Sequence, residues 1–169
     1  MITTKKQAVF KHLLLKNKLS IAVIGGGSWA TALTKILCEN KRNVGWYMRN
    51  EDNISFIKKH HHNPNYLSSA RLSVKRLNIS SDINIIVEAA DIIILAVPSA
   101  FLSEELNKIK ISIKDKIIFS AVKGVVPESM LIVGEHLNQK FGVPVEKIGV
   151  IAGPCHAEEV AMERLSYLT

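Results

Sequence analysis

IAVIGGGSWATAL, residues 21–33, decides how the rest of the chain is read. Four apolar, strand-forming residues run straight into three glycines, and a Ser-Trp pair then opens a helical pattern. Gly25, Gly27 and Ala30 fit G-x-G-x-x-G/A between a strand and a helix. In that setting Gly25 permits the tight turn and Gly27 lets the backbone approach a pyrophosphate. Small Ala30 lets the helix pack closely on the strand, and free N–H groups at the helix start face the phosphates. Ser28 reads as the N-cap of this helix. Trp29, a large aromatic in the first turn, needs something to pack on.

Outward from this loop, short apolar runs alternate with helical segments. Strands are expected at 20–24, 44–48, 77–79, 92–97, 116–121 and 148–152, and helices at 28–39, 50–61, 82–90, 99–110, 128–140 and from 156 onward. Strands such as IIILAV and IGVIA are apolar throughout, as a sheet covered on both faces requires. Repeated βα units with right-handed crossovers give an α/β fold, a doubly wound parallel sheet (Rossmann dinucleotide-binding fold) in a single domain, with strand order 3-2-1-4-5-6. The third strand, inside RLSVKRLNISSD, is short enough to pair in several registers.

The bulk numbers agree with one soluble domain: 169 residues, 47% hydrophobic and 22% charged. A formal charge of +7 and a pI near 9.5 favour acidic partners. Nucleic acid is not expected among them, because the basic residues of the N-terminal arm and of SVKR lack interleaved aromatics. Cys38 and Cys155 lie far apart, without the spacing of a disulfide framework or a metal site, which suits a reducing, cytoplasmic setting. The longest apolar runs, such as DIIILAV at 91–97, are too short to span a bilayer. Residues 1–19 form a basic arm that contains no acid and reads poorly as a signal peptide. His60, His61 and His62 lack the spacing that puts ligands on one helical face, so no metal is expected.

The second strand ends at Arg49, where an Arg accommodates a ribose 2′-phosphate; NADP is therefore favoured over NAD, with Glu51 close enough to keep NAD open. Pro98 and Ser99 end the fourth strand, on the nicotinamide side of such a fold, and Lys123 ends the fifth on the same rim. GPCHAEEVA, 153–161, makes a second group of backbone N–H donors after the sixth strand, with His156 readable as a general acid or as a packed first-turn residue.

Taken in order, GGGSWATAL, WYMRN, NPNYL, AVPS, SAVKG and GPCHAEEVA resemble the bacterial-type NAD(P)-dependent glycerol-3-phosphate dehydrogenases. That family reduces dihydroxyacetone phosphate to sn-glycerol 3-phosphate for phospholipid synthesis. The resemblance implies that Ser28, Trp29, Arg49 and Ala157 contact the dinucleotide. It implies that Lys123 contacts both cofactor and substrate as the catalytic candidate of this chain, and that Gly153 and Cys155 line the substrate site. Departures are Ala30 where the family often has Gly, no Pro after NPNYLS, and Cys155 and His156 in place of a typical Ser or Thr and Phe.

Family members carry a second, helical domain with the proton-accepting Lys and an Arg-Asn pair for the phosphate. The sequence ends at Thr169, before that domain. The expectation is therefore an NAD(P)-binding domain over 20–169 that binds NADP(H) and turns over negligibly by itself, with a homodimer left open for the full-length enzyme. Two alternatives stay open: a hydroxyacid or ketopantoate-type dehydrogenase, which would share the glycine loop, and a non-catalytic nucleotide-sensing module, which would explain the short chain.

Overall fold

A computed structural model describes residues 19–40, 43–164 and 168–169. The basic arm expected at 1–19 lies outside the described residues except for Leu19. The elements are β1 (Ile21–Ile24), α1 (Ser28–Glu39), β2 (Val44–Tyr47), α2 (Glu51–His60), β3 (Leu77–Ser80), α3 (Ile83–Glu88), β4 (Ile92–Leu95) and α4 (Ser99–Asn107). They continue with β5 (Ile117–Ser120), β6 (Val125–Val126), β7 (Leu131–Ile132), α5 (Val133–Phe141), β8 (Ile148–Val150) and α6 (Ala157–Ala161).

Six strands form one sheet in the order β3-β2-β1-β4-β5-β8, every neighbouring pair parallel. With β8 as the sixth strand, this is the order expected from the sequence. The short third strand takes one register, Val44 beside Leu77 and Tyr47 beside Ser80.

Side-chain alternation explains why helices cover both faces. In β1, Ala22 and Ile24 point into a core with Ile86 and Val87 of α3, Leu102 and Leu106 of α4 and Leu137 of α5. Val23 points the other way, into a core with Ala30 and Leu33 of α1 and Ile57 of α2. Both sets are almost wholly buried, so no residue of β1 beyond its first can be polar without leaving an unsatisfied group between layers. The sheet thus fixes β1 at its centre and delivers the glycine loop to the carboxyl edge, where α1 and α4 diverge.

Two expectations are corrected. The segment at 128–140 is not helical from its start: Val125–Val126 pairs antiparallel with Leu131–Ile132, and α5 begins only at Val133. Pro127 and the turn closed by the Met130 N–H on the Val126 carbonyl (2.8 Å), with Met130 at φ 54°, favour a hairpin over a first helical turn. Ser28 is not the N-cap of α1. That position belongs to Gly27, whose extended backbone precedes the first helical residue, Ser28. Past α6, Ala152 and Thr169 exchange two backbone hydrogen bonds (2.9 and 2.7 Å), an antiparallel pair alongside the end of β8. Among the described residues, no helix is long and apolar enough to cross a membrane.

Candidate functional site

The glycine loop is held from three sides. The Gly25 N–H donates to the Tyr47 carbonyl (3.0 Å), and the buried Trp46 indole donates to the Gly25 carbonyl (2.7 Å). Gly25 sits at φ 130°, and a Cβ there would lie 2.4 Å from the Ala96 carbonyl oxygen, so no other residue fits. Beyond it, the Gly27 carbonyl accepts from both the backbone N–H and the hydroxyl of Thr31 (3.0 and 2.9 Å).

The third support is Asn63, which is buried. Its amide donates to the Gly26 carbonyl (3.2 Å) and the Thr31 hydroxyl (2.9 Å), while its carbonyl oxygen accepts from the N–H groups of Asn65 and Tyr66 (3.0 and 3.3 Å). One side chain therefore ties the NPNYL segment to the glycine loop with all its polar capacity used in direct bonds. No side chain caps the start of α1, and a Cβ on Gly27 would meet nothing within 4 Å. Uncapped helix N–H groups facing open space are what an anion requires.

That space is a cleft of about 300 Å³ between the glycine loop, the end of β2 and the start of α4, bordered by Gly27, Arg49, Tyr66, Pro98 and Phe101. Arg49 lies over the Phe101 ring (5.6 Å to its centroid) and pairs through Nε with Glu105 (3.4 Å) and through Nη1 with Glu104 (4.0 Å). Glu105, 2% exposed, also accepts from the Tyr47 hydroxyl (2.6 Å) and from Lys108 (3.0 Å). Burial, and then the bond to Glu105, push the Tyr47 phenol well above the usual tyrosine range. The hydrogen bonds that Lys108 donates to Glu104 and Glu105 raise its ammonium above the usual lysine range. Glu51 faces elsewhere, accepting from the Ser81 hydroxyl (2.8 Å).

Around the β5 and β8 ends, Trp29, Lys123 and Gly153 meet with Leu168 at a cavity of only about 20 Å³. Lys123 is exposed; Trp29 is half-buried, packed where two apolar clusters join. Cys155 and Ala157 have their side chains in one of these clusters, with Ala32, Ala70 and Val160, so only their backbone is available to a ligand. Ser28 is half-buried at the first turn of α1, and Ala30 is buried against the sheet. His156 is exposed at the start of α6, its N–H donating to Glu159 (3.4 Å). His60 and His62 pack on Phe56 (4.3 and 5.1 Å between ring centroids).

A second cleft, about 310 Å³, opens among Ser20, Asn43, Lys75 and Arg76 at the amino ends of the strands. Ligands of open parallel sheets sit beyond the carboxyl ends, where the strand order reverses, and here that point lies between β1 and β4, beside Gly25. Geometry therefore selects the glycine-loop cleft.

Sequence reasoning missed Tyr47, Asn63, Phe101 and Glu105. In FLSEELNK nothing local marks Glu105 as the buried acid, since Tyr47 and Arg49, its partners besides Lys108, lie at the end of β2 and just past it; Asn63 stood inside a quoted motif, but only the fold reveals what its amide reaches.

The family described as NAD-dependent glycerol-3-phosphate dehydrogenase N-terminus matches residues 20–169. A glycerol-3-phosphate dehydrogenase [NAD(P)+] of Teredinibacter turnerae is 33% identical over 153 residues, 90% of this chain and 44% of that protein. The crystal structure of a glycerol-3-phosphate dehydrogenase from Coxiella burnetii superposes with a TM-score of 0.73 at 27% identity, covering 86% of this chain and 44% of that one. One from Plasmodium falciparum superposes with a TM-score of 0.80 at 25% identity, covering 94% and 47%. The chain thus spans less than half the length of these relatives.

Proposed function

The chain belongs to the family of NAD-dependent glycerol-3-phosphate dehydrogenase N-termini, and from that premise we propose that residues 20–169 are the dinucleotide-binding domain of an enzyme that reduces dihydroxyacetone phosphate to sn-glycerol 3-phosphate. The observation that carries this reading is the uncapped start of α1 beside the glycine-loop cleft, with open space where a Gly27 Cβ would stand.

In this reading the backbone N–H groups from Gly27 to Ala30 hold the diphosphate, aided by the Ser28 hydroxyl. Arg49 offers its guanidinium to a 2′-phosphate, so NADP is the favoured dinucleotide. Pro98 and Ala157 border the nicotinamide end, and Trp29 shields it from water. The reduced nicotinamide, when bound, supplies the hydride for the ketone carbon. Lys123 contributes positive charge at the rim, where it orients the substrate and stabilises the negative charge that develops on the carbonyl oxygen. Gly153 and Cys155 contribute backbone donors to the same place. Two unpaired thiols, Cys38 and Cys155, suit a cytoplasmic enzyme. Titration of the chain with NADPH and NADH, followed by tryptophan fluorescence, tests the reading: saturable quenching supports it, and no change at millimolar dinucleotide refutes it.

A further inference from the structure

The residue with the most unusual environment in the cleft belongs to none of the sequence motifs. Glu105 is a carboxylate with 2% exposure, wedged between Tyr47, Arg49 and Lys108. Both its oxygens are engaged: Oε2 accepts from the Tyr47 hydroxyl and Oε1 from Lys108 Nζ, while Arg49 Nε lies 3.4 Å from Oε1 as an ion pair. Arg49 and Lys108 are matched in number by Glu104 and Glu105, so this quartet brings no net charge to the mouth of the cleft. The Arg that a 2′-phosphate would need is already committed to a buried carboxylate, which its departure would leave to Lys108 and Tyr47 alone.

We propose that Glu105 sets how strongly the cleft prefers a 2′-phosphorylated dinucleotide over an unphosphorylated one, by holding Arg49 in an ion pair that the 2′-phosphate has to displace or share. The inference rests on the dinucleotide reading of the cleft. Two effects act in one direction. A guanidinium paired with Glu105 cannot be given wholly to a second anion, and a phosphate dianion drawn to Arg49 comes close to the buried Glu105 charge. An unphosphorylated ribose meets neither obstacle. Glu104, exposed and farther from Arg49, adds little by the same logic.

Glu105→Gln keeps the shape and an acceptor for the Tyr47 hydroxyl while removing the charge. Calorimetric titration of the wild-type chain and the variant with NADPH and with NADH reads the effect. Glu105→Gln is expected to tighten NADPH about tenfold and to change NADH less than about twofold, whereas Glu104→Gln shifts the NADPH value less than about threefold. In an Arg49→Gln background the gain from Glu105→Gln disappears, which a merely structural role would not produce. Glu105→Met, a volume-conserving apolar replacement, carries the same expectation if the Gln variant does not unfold cooperatively. An unchanged or weakened NADPH affinity, or a ratio that rises only because NADH weakens, overturns the proposal. Binding of neither dinucleotide to the wild type would instead overturn the reading of the cleft, and this inference with it.

Discussion

The two sides of the carboxyl edge are built differently. On the β2 and α4 side, every charged group that borders the cleft is paired: Arg49 with Glu104 and Glu105, and Glu105 in turn with Lys108 and Tyr47. On the β5 and β8 side, Lys123 is exposed and has no ion pair among the described residues, beside a cavity scarcely larger than a water molecule. On the first side the polar groups are already held by one another. The second offers a cation and backbone donors but no enclosure. On the function proposed above, the difference puts dinucleotide affinity on the first side, a contrast that substitutions can test.

The hardest way to break this contrast is through the loop that joins the two sides. Gly25→Ala places a Cβ 2.4 Å from the Ala96 carbonyl at φ 130°, and is expected to destabilise the fold by about 3 kcal/mol or more, read by urea unfolding. An Ala variant of wild-type stability would mean that the loop is not pinned between β1 and β4. Asn63→Ala comes next. It strips the Gly26 carbonyl and the Thr31 hydroxyl of a donor and Asn65 and Tyr66 of an acceptor, for a loss of about 2 kcal/mol and an NADPH affinity about tenfold weaker. A variant that loses stability but keeps its affinity would show that Asn63 serves the fold alone. Lys123→Met is expected to do least: stability within about 0.5 kcal/mol of wild type and dinucleotide affinity within about threefold. A larger loss of affinity would erase the contrast, since the exposed side would then share in binding.

How much of this was legible in the sequence follows from how local each interaction is. The order of the sheet was readable because each strand is a short apolar run followed by a helix, and the glycine loop because its spacing sits between two such elements. The hairpin at Val125–Ile132 was not readable: the apolar residues on either side of Pro127 suit a helix as well as a strand, and the left-handed backbone at Met130 leaves no mark in a side chain. Ser28 was misplaced by one residue because Gly27, with no side chain to announce it, takes the cap position through its backbone. Arg49 was visible at the end of β2, but its partners were not. Glu105 lies on another helix, and Glu51, the nearer acid in sequence, points to Ser81 instead. Contacts made by chain topology, rather than by spacing along one element, are what sequence periodicity cannot report.

In the function proposed above, main-chain N–H groups at the start of α1 hold the diphosphate. Backbone amide chemical shifts recorded while the chain is titrated with NADPH measure it residue by residue. The largest shifts are expected on Gly26, Gly27, Ser28, Trp29 and Ala30, with Arg49 moving alongside them. Shifts that spare this turn and gather instead around Lys75 and Arg76, at the amino ends of the strands, would contradict it.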